Sequence, residues 1–478
     1  MIGGRTWVGR RTWVRLDNAS NIFLASRSDA DPKVFRISAE LDHDVDRELL
    51  QQALDTTYGK YPLYHAVLRR GVFWYYLQDS DLYPVVTADE QHTCAPIYQA
   101  DRRNLLFRVV HHRRRICLEV FHALSDGTGA LWFLSDLVNT YVRLRNPDLR
   151  NPDQSRPAET ARPAGDSLPD PGRADYATGP VAGPAEPVHA LIADSFAYYF
   201  GRRRHEEPVA DRPVGEGPPP DGPQRSPWWR RRRVHRIRGT RTPDHRTRVV
   251  ELTAPVPELL DLARSEGVSL TMYLTGVFFE AVRRSSGLDR PRTLAATVPV
   301  NLRQFFPSTS PRNFFATIRV EHRYGHGSDD LGSVCRELDR QFRLQAAPEA
   351  LERKLRRFAR FERMPVLRVV PRPLKDVILG LISRASNRGL TVAVSNLGRV
   401  TLPQPADGCV GRLLLHVSAV RPQVCVISHA GLLTMSFTSQ YHETGHVREF
   451  ARLLTGRGLT VTVAASRVTE EELAESEP

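Results

Sequence analysis

Long apolar runs are missing from this 478-residue chain. None approaches the ~18–20 residues that a membrane-spanning helix needs. The opening stretch, MIGGRTWVGRRTWVRLD, lacks the apolar core of an export signal, and its doubled RTWV carries no functional reading. A cytoplasmic protein is the expectation. Cysteine is scarce: Cys94, Cys117, Cys335, Cys409 and Cys425 are an odd number, without a CxxC. That argues against a disulfide framework and for reduced thiols. Lysine is scarcer still, at four residues, so nearly all of the 67 Lys and Arg residues are arginine. The net charge of +13 invites a polyanion reading. The arginine skew, with abundant Ala, Pro and Gly, is what a GC-rich coding sequence produces without selection for binding. No nucleic-acid partner is expected, and at most peripheral membrane contact.

What is present is ordinary globular composition, 41% hydrophobic and 25% charged. Residues 34–41 read as a strand and Val45–Tyr58 as a helix with one apolar face. GVFWYYLQ at 71–78 reads as a strand, and 105–121 as a hairpin turning at Arg113–Arg115. A helix is predicted over Ala130–Leu144. The region 147–227 holds 16 of the 35 prolines and reads as linker or surface loop around one helical island, 188–204. WWRRRRVHRIR at 228–238 reads as a solvated basic connector. Beyond Thr247, helices again alternate with strands. The predicted order there is helices at 255–265 and 269–284, a strand at 293–300, and helices over 328–346 and 349–385. Strands at 390–395, 411–419, 423–429 and 432–438, a helix at 445–455 and a last strand follow. The expectation is a two-lobed α/β (α+β) protein divided as 1–187, 188–246 and 247–478. The basic, apolar segment 351–384 is expected to pack as core or lid, with lipid headgroup contact as the alternative.

Three polar clusters fall where apolar strands end. In Phe121-His122-Ala123-Leu124-Ser125-Asp126-Gly127 a histidine closes a strand and an acid follows four residues on. A histidine held there can take a proton from an alcohol or amine near neutral pH. Asp126 could fix the loop by pairing with an arginine, and Gly127 could leave room for a ligand; a chance surface turn is the alternative. In Val298-Pro299-Val300-Asn301-Leu302-Arg303, the Arg303 cation needs an anion if it is desolvated, and Asp126 is a candidate. An exposed strand end is the alternative. Ser395 and Asn396 in Val394-Ser395-Asn396-Leu397-Gly398 offer short hydrogen-bond donors suited to an oxyanion, or form a simple β-turn.

Two matches to catalytic signatures have weak context. Gly165-Asp166-Ser167-Leu168 spells a serine-esterase tetrad, but in a proline-rich stretch where no strand and helix flank it. His442-Glu443-Thr444-Gly445-His446 matches the HExxH of zinc proteases. No histidine follows His446, and Gly445 weakens the helix that would hold both ligands. A zinc hydrolase is the weaker alternative, and no metal is expected.

Taken together, HxxxDG, VNLR and SNLG in this order resemble the superfamily of CoA- and carrier-protein-dependent acyltransferases. Its members include chloramphenicol acetyltransferase and peptide-synthetase condensation domains, and the chain most resembles the bacterial alcohol acetyltransferase-like branch. The resemblance runs nearly end to end through FRISAELDHDVDRELLQQAL, KYPLYHAVLRRGVFWYYLQ, EVFHALSDGTGALWFLSDLVNTYV, VPVNLR with RNFFA, and AVSNLGRVTLP. It implies two similar lobes with mixed sheets and helices, and a tunnel between them. It implies that His122 is a general base that activates the acceptor directly, with no acyl-enzyme. Asp126 would be structural and paired with Arg303, near Asn301; Gly127 would clear the pantetheine path; Ser395 and Asn396 would lie near the tunnel. The implied co-substrate is acyl-CoA or a phosphopantetheinyl thioester, delivered free or by an acyl carrier protein, and the acceptor a small alcohol or amine. No cofactor would be held permanently. A catalytically silent, ligand- or partner-binding member is the alternative. Many members have a second histidine before the base, where this chain has Phe121. The DFGWG motif of the plant branch is absent.

Overall fold

The computed structural model describes residues 13–99, 102–146, 195–200, 234–242, 245–287, 291–362, 371–418 and 420–466. The tetrad at 165–168, the proline-rich stretches 147–187 and 205–227, and the Trp228–Trp229 pair lie outside these residues.

The first lobe contains β1 (Trp13–Arg15), α1 (Asn18–Ala25), β2 (Val34–Leu41), α2 (Arg47–Tyr58), β3 (Ala66–Arg70), β4 (Tyr75–Asp79), β5 (Thr87–Ala88), β6 (Phe107–His112), β7 (Arg115–Phe121) and α3 (Gly127–Arg145). The period-2 pattern of β2 explains its place. Phe35, Ile37, Ala39 and Leu41 join the first core with Leu50 and Leu54 of α2 and with Leu134 and Val138 of α3. Arg36, Ser38 and Glu40 therefore face the other way. Asp46 starts α2 by accepting from the backbone N–H groups of Glu48 and Leu49.

GVFWYYLQ does not form one strand. Gly71 donates its N–H to the Trp74 carbonyl at 2.8 Å, closing a turn that leaves Val72 and Phe73 exposed. Only Tyr75–Asp79 is extended, paired with β3, which the sequence pattern did not single out. Aromatic and β-branched residues favour strands only where a neighbour pairs with them.

After α4 (Ser195–Phe200), the second lobe contains β8 (Arg248–Pro255), α5 (Val256–Ser265), α6 (Leu270–Ser285), β9 (Thr293–Asn301), β10 (Phe315–Arg323), α7 (Leu331–Ala346), α8 (Pro348–Glu362), α9 (Arg372–Arg388) and β11 (Val392–Arg399). Next come α10 (Ala406–Cys409), β12 (Val410–Val417), β13 (Gln423–His429), β14 (Leu432–Ser439), α11 (Gly445–Thr455) and β15 (Thr462–Ala465). Helix α6 is buried along almost its whole length and centres the second core. β10 is likewise a strand that the sequence pattern did not single out, although its Ala316, Ile318, Val320 and His322 alternate inward.

Among the described residues three sheets result, in the orders β1-β4-β3, β12-β2-β7-β6-β5 and β10-β9-β11-β13-β14-β8-β15. The chain has the expected mixed α/β class. The stretch 247–478 was expected to form the second lobe, yet β12 leaves it and pairs antiparallel with β2 along the first lobe's sheet. An interlobe ion network adds to this exchange. Arg115 of β7 donates to both Glu251 oxygens of β8 at 2.9 and 3.0 Å and to Glu40 of β2 at 2.8 Å. Burial alone would raise the Glu251 carboxyl; the His416 and Arg115 hydrogen bonds override it and hold it at about 2. No helix among the described residues is long and apolar enough to cross a membrane.

Candidate active site

His122 directly follows β7, so the ladder with β2 fixes its backbone, and its N–H donates to the Lys33 carbonyl at 2.7 Å. The half-buried ring stacks on Phe23 of α1, with centroids 4.0 Å apart, and meets the edge of Phe35 at 4.9 Å. Its Nδ1 is buried without a hydrogen-bond partner among the described residues. Burial pushes the imidazole below its ordinary value of 6.5, outweighing Asp126 and Asn313, which push it up. The ring is therefore neutral at pH 7, with a lone pair to accept a proton.

Asp126 sits at the N-terminus of α3 with both carboxylate oxygens engaged. Oδ1 accepts the Gly129 N–H at 2.9 Å as a helix cap. Oδ2 accepts from Arg303 Nη1 at 2.7 Å and from the Phe314 N–H at 2.9 Å. Arg303 also donates Nη2 to the carbonyls of Ser310 and Arg312, both at 2.7 Å, and lies over Trp132. The Asp126–Arg303 pair is thus formed, and it joins α3 of one lobe to the turn after β9 of the other.

The other predicted residues converge on the same junction. Asn301 donates to Thr128 Oγ1 at 3.3 Å and accepts the Arg303 N–H at 3.0 Å. Gly127 faces Leu397: a Cβ there would meet Leu397 Cδ2 at 2.8 Å. The three strand-end motifs are therefore neighbours in space. Asn396 is engaged at both ends, donating to Thr271 Oγ1 of α6 at 3.0 Å and accepting the Gly398 N–H of its own turn at 2.7 Å. Ser395 is half-buried, and neither it nor Asn396 is hydrogen-bonded to His122 among the described residues.

Two functional positions were not singled out from sequence. Asn313 donates to the His122 carbonyl at 2.7 Å and to Ser20 Oγ at 2.9 Å, tying the second lobe to the backbone of the histidine. Its signal was the polar RN pair opening the apolar run NFFA. Gly129 is the glycine that the junction requires. A Cβ there would lie 2.2 Å from the Pro311 carbonyl oxygen and 2.5 Å from Ser125 Oγ. Gly129→Ala should therefore cost about 1–3 kcal/mol of stability by overpacking, read as a lowered denaturation midpoint. Gly127→Ala should cost less, because the flexible Leu397 side chain can move.

The HETGH residues form no zinc-protease helix. Helix α11 begins at Gly445, so His442 and His446 are not successive turns of one helix. Glu443 accepts the Thr240 N–H, and His446 is buried with its ring edge-on to Phe278 at 5.7 Å. Among the described residues no group of three or more His, Cys, Asp or Glu could hold a metal ion. Burial lowers His446 from 6.5 to about 4. Its unfolded form therefore takes up a proton first as pH falls. Its contribution to stability is complete above pH ~6.5 and is lost between ~6.5 and ~4, by up to about 3 kcal/mol. His446→Leu should flatten that part of the pH dependence of the melting temperature and leave metal content unchanged.

A cavity of about 630 Å³ lies between the two larger sheets, lined by Arg36, Ser38, Cys117, Arg115, Glu251 and His416. It sits at the other end of β7, roughly 17 Å along the strand from His122.

No protein-family model matches the chain, and no curated protein matches it. Solved structures do. Polyketide synthase associated protein 5 from Mycobacterium tuberculosis is similar with a TM-score of 0.55 at 14% identity, over 92% of this chain and 96% of its own. A trichothecene 15-O-acetyltransferase from Fusarium sporotrichioides gives 0.54 at 12% identity, over 93% and 94%. The first condensation domain of the calcium-dependent antibiotic synthetase, in complex with a substrate analogue, gives 0.51 at 14% identity, over 92% and 96%. The chain thus shares, nearly end to end, the fold of these structures, a condensation domain and an O-acetyltransferase among them.

Proposed function

We propose that this protein is an acyltransferase that moves an acyl group from a CoA or carrier-protein thioester to a hydroxyl or amine. The observation that carries the reading is the state of His122: clamped by Phe23 and Phe35, with Nδ1 buried and the ring's basicity lowered by burial. Nε2 takes the proton of the acceptor as its oxygen or nitrogen attacks the thioester carbonyl. The C–S bond then breaks, and the imidazolium returns the proton to the departing thiolate. The products are an ester or amide and a free thiol, and no acyl-enzyme forms.

Asp126 takes no part in this proton transfer, because Arg303, Phe314 and Gly129 hold both of its oxygens. It fixes the loop that carries His122. The pantetheine arm would pass Gly127 and displace the Leu397 side chain. Ser395 is the nearer candidate for an oxyanion contact, since Asn396 is already engaged at both ends. The test is thiol release from acyl-CoA of graded chain length in the presence and absence of alcohols and amines. Release that depends on the acceptor supports the proposal. Release at the same rate without an acceptor would point to a hydrolase.

A further inference from the structure

Helix α9 is 17 residues long and contains no buried residue. Leu374, Val377, Ile378, Leu381 and Ile382 recur at helical spacing and are each 41–58% exposed, so a continuous apolar stripe faces outward. Sequence reading expected core or lid packing here; the structure places the stripe on the surface. The exposed tip of the β3–β4 turn extends it. The Arg372 N–H donates to the Val72 carbonyl at 3.1 Å, and Lys375 Nζ donates to the Phe73 carbonyl at 3.3 Å. Val72 and Phe73 are themselves exposed.

Cations flank the stripe. Arg384 and Arg388 are exposed, and neither forms an ion pair among the described residues. Lys375 sits over the Trp74 ring on the opposite side. The helix has one acid, Asp376, which turns inward to accept from the Tyr75 hydroxyl at 2.8 Å. An aliphatic stripe edged by cations, with no acid on the exposed face, matches an anionic bilayer surface: acyl chains below, phosphate headgroups at the rim.

We propose that α9 and the β3–β4 turn dock this protein on anionic lipid bilayers. The docking face lies close to the candidate base. Gly380 of α9 packs on the backbone of Ala25 in α1, the helix whose Phe23 stacks on His122.

The test is flotation of the full chain with phosphatidylcholine vesicles, with and without phosphatidylglycerol. Binding should require phosphatidylglycerol and weaken with salt. The double variant Leu381→Asp/Ile382→Asp should bind about tenfold or more weakly. Arg384→Glu/Arg388→Glu should remove the preference for anionic lipid. Both pairs are exposed, so melting temperatures should match the parent. Failure of the parent to bind vesicles, or binding unchanged in both variants, overturns the proposal. So does a parent dimer that Leu381→Asp/Ile382→Asp makes monomeric, or loss in that variant of binding to an acidic carrier protein when vesicles are not bound. Because flotation does not depend on turnover, it can succeed where acyl transfer fails, and the reverse.

Discussion

Replacing His122 with alanine is expected to slow acyl transfer by about 10²–10⁴-fold, the usual cost of losing a general base. Loss of the ring removes the group that accepts the acceptor's proton and also empties the space between Phe23 and Phe35. The measurement is acceptor-dependent thiol release, with circular dichroism and melting temperature as controls for folding. The pH profile supplies an independent check. The base works only when unprotonated, and burial lowers the His122 value. The acid limb of the parent rate should therefore be centred below the ordinary histidine value of 6.5. A His122→Ala variant with near-parental rates would rule out the base assignment, as would an acid limb centred at or above the ordinary histidine value.

Asp126→Ala is expected to cost about 3–5 kcal/mol of stability, because it leaves the Arg303 cation buried without an anion. The two side chains are each only 7% exposed, so water cannot replace the missing partner. The substitution also removes the Gly129 cap and frees the Phe314 N–H. Asp126→Asn keeps an oxygen for the cap and should cost less. A double-mutant cycle with Arg303→Ala should give a coupling well above ~0.5 kcal/mol in denaturant unfolding. Additive losses would mean that the pair contributes nothing beyond each residue's separate contacts. Asp126→Asn that folds as well as the parent should also retain activity, since the carboxylate is assigned no chemical step.

Most of the strands and helices could be read from the sequence because their periodicity is local. β2 is bounded by Val34 and Leu41 as its apolar alternation indicates, and α6 follows its continuous apolar face. The Asp126–Arg303 pairing was also foreseeable, because a charge at the end of a buried strand must find its opposite. The path of β12 was not. Its apolar alternation says only that it is a strand, and its partner is set by which sheet edge is free once both cores have formed. Position 71 was misread for a related reason: the sequence of 71–78 favours a strand, but the Gly71–Trp74 turn forms because β3 is available to pair with Tyr75–Asp79. The stripe on α9 carries the same periodicity that marks a buried helix face, and the sequence cannot say whether another element covers it. Asn313 and Gly129 owe their importance to contacts across the lobe junction, with His122 and Pro311, that no sequence spacing records. The sequence by itself determined which side chains are available for the chemistry: one histidine at a strand end, one acid, one arginine. The tertiary structure decided which atoms of those side chains remain free to act, because hydrogen bonding occupies both oxygens of Asp126 and burial encloses Nδ1 of His122.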